Sequence, residues 1–163
     1  MAGLRFIDYE MLSIIRTNSE NEDFRSLVVM LDAELAIRDG VEHAFYSQFN
    51  KINSLRQVVV AYLGDEAVGC GAIRDFAEGT AEIKRMFVKA ESRGNGIAGK
   101  ILGELEAWAG ELNFDVCVLE TGFKQPEAIA LYTRSGYKVI PNYGHYVDVE
   151  NSVCMKRSIT DRG

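Results

Sequence analysis

A chain of 163 residues, 47% hydrophobic and 10% aromatic, can bury one core without staples, and its composition excludes a disordered or low-complexity protein. A formal net charge of −6 and a pI of about 5.0 argue against a nucleic-acid binder, whose affinity rests on Lys and Arg meeting phosphate. No apolar run approaches the ~20 residues that a membrane span needs, so no membrane partner is expected. The three cysteines, Cys70, Cys117 and Cys154, are odd in number and lie in apolar stretches. They argue for reduced thiols and a cytoplasmic location rather than a disulfide framework.

The elements follow in chain order. Met1–Glu10 mixes Arg5, Asp8 and Glu10 with apolar residues and reads as an extension before the first strand, not a signal peptide. Leu12–Thr17 reads as that strand. A helix is expected from Glu22 to Arg38: acidic residues open it, Phe24, Leu27, Val28, Leu31 and Leu35 form its stripe, and Gly40 stops it. Glu42–Ile52 reads as a second, shorter helix. Val58–Leu63 and Ala67–Phe76 form a hairpin about Gly64-Asp65, and Gly69 and Gly71 suggest a bulge or a close backbone approach. A strand near Ala81–Val88 precedes a helix entered at Gly94–Gly99 and running to about Leu112. Then come a strand at Val116–Glu120, a helix from Pro126 to Ser135 with Pro in its first turn, and strands at Tyr137–Ile140 and Val153–Arg157 about an Asn142–Gly144 turn. These elements predict one mixed α/β (α+β) domain spanning 1–163: antiparallel strands, one β-α-β crossover, a helix and a terminal hairpin.

The informative string is Arg93-Gly94-Asn95-Gly96-Ile97-Ala98-Gly99-Lys100, where a strand hands over to a helix. Orphan amides and the helix dipole make such a junction attractive to anions. Glycine lets the backbone approach closely, and Arg93 adds a full charge. A flexible turn is the plainer reading, but the strand and helix on either side favour a phosphate cradle. Gly94-x-Gly96-x-x-Gly99 also satisfies the dinucleotide fingerprint, with Glu120 about 20 residues on as ribose ligand. Three features count against it: Lys89–Arg93 separates the glycines from the strand, Glu82-Ile-Lys-Arg-Met is highly charged for a doubly buried parallel strand, and too little chain remains for a doubly wound sheet. A Walker loop fails at Ile101, where a hydroxyl is needed for Mg²⁺.

The hexapeptide Arg93-x-x-Gly96-x-Ala98 resembles the acyl-CoA loop of the GNAT acetyltransferase superfamily. Its context strengthens the likeness: Ala81-Glu-Ile-Lys-Arg-Met-Phe-Val88 precedes it, and Gln125-Pro-Glu-Ala-Ile-Ala-Leu-Tyr132-Thr-Arg-Ser-Gly-Tyr137 is similar to the family's second landmark. The likeness covers roughly Val58–Val139. It implies a mixed, mostly antiparallel sheet of about seven strands with a splayed parallel pair and about four helices. It implies acetyl-CoA as cosubstrate and no metal. Backbone of Met86, Phe87 and Val88 would pair with the pantetheine arm, amides from Arg93 through Gly94, Asn95, Gly96, Ile97, Ala98 and Gly99 would hold the pyrophosphate, and Gln125, where many members place Asn, and Ala128 would contact CoA.

By the same analogy a neutral amine attacks the thioester directly with both substrates bound. Tyr132 matches the family's frequent general-acid tyrosine, and a phenol is protonated at neutral pH. Glu82 is a candidate base whose plainer reading is an ion pair with Lys84 or a neighbouring cation. Glu34, His43, Tyr46 and Tyr143 are candidate acceptor contacts. Cys117 reads as inert packing, and His43 and His145 give no metal-ligand spacing. The expected activity is acetyl transfer to a small-molecule amine. A protein or peptide acceptor, and a non-catalytic CoA sensor, remain as alternatives. Homodimers are frequent in the family.

Overall fold

The computed structural model describes residues 11–40 and 55–160. Seven strands form one sheet: β1 Leu12–Thr17, β2 Gln57–Leu63, β3 Glu66–Ala77, β4 Thr80–Val88, β5 Val116–Gly122, β6 Lys138–Ile140 and β7 Ser152–Ser158. Their order is β1-β2-β3-β4-β5-β7-β6. Only β4 and β5 run parallel, and all other neighbours are antiparallel. Among the described residues three helices accompany the sheet: α1 Glu22–Asp39, α2 Ile97–Glu111 and α3 Pro126–Arg134. The anticipated N-terminal extension and the helix expected over Glu42–Ile52 lie outside the described residues. The last connection carries a short 3₁₀ turn at Gly144–Tyr146 rather than a tight turn at Asn142–Gly144.

The boundaries follow local chemistry. Asn21 caps α1 by accepting from the Phe24 amide at 2.9 Å, and Gly40 ends the helix with φ of 58°. The stripe Phe24, Leu27, Val28 and Leu31 packs with Val58, Val60, Cys70, Ala72 and Phe87 in one core. A larger core on α2 joins Ile97, Ile101, Leu102 and Leu105 to Val59, Ala61, Val68, Ile83 and Val88. Residues alternating along β2 thus divide between the two cores, as a strand covered on both faces requires. Cys70, Cys117 and Cys154 are all buried free thiols, and burial pushes the Cys70 thiol up to about 12.

The charge of β4 has a different consequence from the one the sequence suggested. Glu82 and Arg85 are buried, and the strand carries them because each is paired. Glu82 accepts from Arg74 Nε at 2.7 Å, and Arg85 Nη2 donates to Asp32 at 2.5 Å. A charged sequence therefore does not by itself exclude a covered strand; partners decide.

At Arg85 the strand bulges. Cys70 pairs Phe87, whereas Ala72 pairs Lys84, so Arg85 and Met86 oppose the single residue Gly71. Arg85 takes φ of 57°, a left-handed conformation that costs a bulky residue about 1–2 kcal/mol. The Asp32 pair and the Cys70 thiol, which donates to the Arg85 carbonyl at 3.4 Å, hold it there. Gly71 makes room: a Cβ at that position would lie 2.6 Å from Met86 Sδ and 2.8 Å from Leu105 Cδ1. The glycine reading of this strand is thus a bulge and a close approach together.

Gly71→Val should lower the unfolding free energy by about 1–3 kcal/mol through overpacking. Gly103→Ala, where an added Cβ meets nothing within 4 Å, should raise it by about 0.5–1 kcal/mol in the helix interior. Urea denaturation of the two variants beside the parent checks both signs.

Candidate active site between two parted strands

The site begins where sheet pairing stops. The parallel ladder of β4 and β5 joins Thr80 to Val116, Ala81 to Cys117 and Glu82 to Val118. Beyond that rung β4 continues to Val88 and β5 to Gly122 without pairing to each other. The strands part beyond that rung and leave backbone polar groups facing an opening.

A cavity of about 420 Å³ occupies the wider end. It is lined by Met86, Phe87 and Val88 of β4, by the loop residues Arg93, Gly94 and Gly96 with Ile97–Gly99 of α2, and by Gln125, Ala128 and Tyr132. Every residue expected to hold CoA is therefore brought to one cavity except Asn95. That side chain instead braces the loop, donating to the carbonyls of Ser92 and Arg93 at 3.1 Å each.

Glycine sets the loop's shape. Gly94 and Gly96 have φ of 81° and 77°, and Gly96 is the N-cap of α2. The first backbone bond across the helix entry runs from the Lys100 amide to the Gly96 carbonyl. Among the described residues, the amides of Gly94, Gly96, Ile97, Ala98 and Gly99 have no protein acceptor. Such a group of unsatisfied donors, with a helix N-terminus behind it, fits an anionic phosphate.

Arginines surround this anion site. Arg93 Nε donates to the Val88 carbonyl at 2.8 Å, its Nη2 to Glu34 at 2.6 Å, and its guanidinium lies 5.6 Å from the Phe87 ring centroid. Glu34, expected to contact the acceptor, thus lies in the larger cavity against Arg93. Arg38 reaches both Glu34 and Glu127, and Arg134 also lines the cavity. Arg38 and Arg134 were not singled out from sequence. Each sits in the last turn of its helix, where basic residues have an ordinary explanation in the helix dipole.

A second cavity of about 130 Å³ lies between the parted strands. Its walls include Lys84 and Arg85 of β4, Glu120 and Thr121 of β5, and Tyr132. Tyr132 lines both spaces, as do Met86, Gln125 and Ala128. The tyrosine is buried, with its ring 5.8 Å from that of Tyr137 in an edge arrangement. Burial, then the nearby Glu120 charge, pushes its phenol above the ordinary range, so it stays an O–H donor. Lys84 is shifted the other way: burial lowers its pKa, against the raising effect of Glu82.

Glu82 and Tyr143 form a unit outside both cavities. Tyr143 donates to Glu82 Oε2 at 2.7 Å while Arg74 holds Oε1. Lys84, the partner anticipated for Glu82, is 4.0 Å away. Tyr143 also packs edge-on against Phe76 and Tyr146. His43 and Tyr46 lie outside the described residues. Among the described residues no three His, Cys, Asp or Glu side chains cluster to hold a metal ion, and no helix is long and apolar enough to cross a membrane.

Known proteins share this fold. The profile of the Acetyltransferase (GNAT) family matches residues 20–137. The IAA acetyltransferase of Azospirillum brasilense is 35% identical over 102 residues, covering 62% of this chain and 67% of that protein. A solved acyl-CoA N-acyltransferase structure from Klebsiella pneumoniae superposes with a TM-score of 0.77 at 30% identity, over 91% of this chain and 98% of the other. The paiA N-acetyltransferase of Thermoplasma acidophilum, solved with coenzyme A, shares the fold with a TM-score of 0.68 at 17% identity, over 90% and 98% of the two chains. Profile, relatives and architecture converge, and this chain is a member of the GNAT acetyltransferase family.

Proposed function

We propose that this acetyltransferase is a single-domain cytoplasmic enzyme that moves an acetyl group from acetyl-CoA to the primary amine of a small molecule, by direct transfer with both substrates bound. One observation carries the reading: two parallel strands part beside a cavity whose mouth presents unsatisfied amides and arginine side chains. The amides of Gly94–Gly99 suit a diphosphate. Along Met86–Val88 β4 has no partner on its β5 side, which suits an amide-bearing arm laid beside it, and the gap suits a thioester passing through the sheet.

Within this reading Tyr132 protonates or hydrogen-bonds the departing thiolate. Its place on the wall shared by both cavities supports the role, and burial keeps the phenol in its O–H form. In this reading the backbone amide of Val88 polarises the carbonyl. Holding amine and thioester together supplies much of the rate, up to ~7–11 kcal/mol in favourable cases. The second cavity is small, about 130 Å³, which favours a compact amine over a bulky acceptor group.

Two variants test the assignments. Tyr132→Phe should lower kcat by about 100-fold while the acetyl-CoA Kd by calorimetry stays unchanged; an unchanged kcat at saturating substrate would remove the tyrosine from the chemistry. Gly96→Asp puts a carboxylate at the amide cluster and should weaken acetyl-CoA binding at least about tenfold, or ~1.4 kcal/mol, with the fold retained by circular dichroism. Equal affinity would count against the loop as the diphosphate site.

A further inference from the structure

Among the described residues Lys84 is the one lysine on the wall of either cavity. The parallel ladder ends at Glu82 and Val118, and Lys84 lies two residues beyond that rung, on the same face of β4 as Glu82. It lines the second cavity with Arg85, Met86 and Tyr132. Its side chain is 10% exposed, and its ammonium stands 4.0 Å from the Glu82 carboxylate. A primary amine is therefore built into the wall of the space that opens where the strands part.

We propose that Lys84 is itself an acetyl acceptor, and that the protein acetylates this amine in cis from acetyl-CoA held in the larger cavity. The inference rests on the acetyl-CoA reading above and adds a modification site to it. The two cavities share Met86, Gln125, Ala128 and Tyr132, so the lysine and a thioester in the gap meet in one continuous space. The volume of about 130 Å³, against roughly 30 Å³ for one water, holds the acetyl group of the product. A tethered nucleophile also needs no second binding event, which raises its effective concentration far above that of a free amine.

The surroundings favour a reactive nitrogen. Burial is the largest influence on Lys84 and lowers its pKa. Arg74 of β3 and Arg85 of β4 act in the same direction, and Glu82 of β4 and Glu120 of β5 act against them. A larger share of the lysine is then neutral, and only the neutral form has a lone pair to attack with. Pairing with a carboxylate does not block the step, because the carboxylate receives the proton. The nitrogen starts as an ammonium with three protons and ends as an amide with one. One proton passes to Glu82 and on to solvent, and the other replaces the proton that Tyr132 gives to sulfur. The C–N bond forms as the C–S bond breaks, and the electron pair leaves on sulfur.

The test incubates the full chain with acetyl-CoA and no added amine, and reads acetyl groups by intact mass and by peptide mass spectrometry. Wild type should gain an acetyl group at Lys84 at least about 100-fold faster than the same lysine in the urea-unfolded chain. The rate per molecule should not change with protein concentration and should rise with pH as the amine deprotonates. Lys84→Arg, folded by circular dichroism, should lose the fast acetylation; if that variant does not fold, the peptide map of wild type decides alone. When acetyl-CoA binds by calorimetry, a Lys84 modified no faster than in the unfolded chain overturns this proposal and leaves the coenzyme reading standing. A rate proportional to protein concentration also overturns it, because it marks transfer between molecules. A protein that binds no acetyl-CoA overturns both.

Discussion

The structure depends on one interrupted ladder. A parallel pair normally continues hydrogen bonding until a strand ends, because unpaired buried N–H and C=O groups are costly. Here β4 and β5 stop pairing after Glu82 and Val118 although both strands run on. Within the unpaired stretch β4 carries a bulge at Arg85, which bends a strand locally, and that bulge is held by the Arg85–Asp32 ion pair, by the Cys70 thiol on the Arg85 carbonyl, and by the missing side chain at Gly71. The backbone groups released from the ladder become available to a ligand.

Everything around the gap is arranged to use it. The turn after β4 brings the chain to Gly94 and Gly96 in left-handed conformations, so α2 starts with its amides toward the larger cavity. Helix α3 closes the other wall and presents Tyr132 to both spaces. Charged side chains are buried in pairs. On β4 the pairs are Glu82 with Arg74 and Arg85 with Asp32, and on α2 Glu106 accepts from Tyr137 at 2.9 Å and from Arg157.

Much of this was legible from residues. Glycine placement announced the loop and the bulge, and the apolar stripes of α1 and α2 announced which faces are buried. The order of strands could not be read in the same way. The insertion of β7 between β5 and β6 is a long-range pairing with no local signature, and the resemblance to a known family, not periodicity, supplied the splayed pair. Burial of Glu82 and Arg85 was misjudged because a sequence shows a charge without its partner. Glu120 was weighed only as a ribose ligand for a dinucleotide, since one acidic residue in an apolar strand carries no hint of the gap it faces. Arg38 and Arg134 were hidden by the helix dipole, which gives basic residues at helix ends an ordinary explanation.

The central claim is that the separated stretch of β4 and the amides at the start of α2 form one coenzyme A surface. It is tested most directly by following backbone amide resonances of ¹⁵N-labelled protein during titration with coenzyme A. The account predicts that the largest shifts fall on Met86–Val88 and Gly94–Gly99 and saturate together with a single affinity. Shifts centred elsewhere, with these two segments unmoved at saturation, would contradict it.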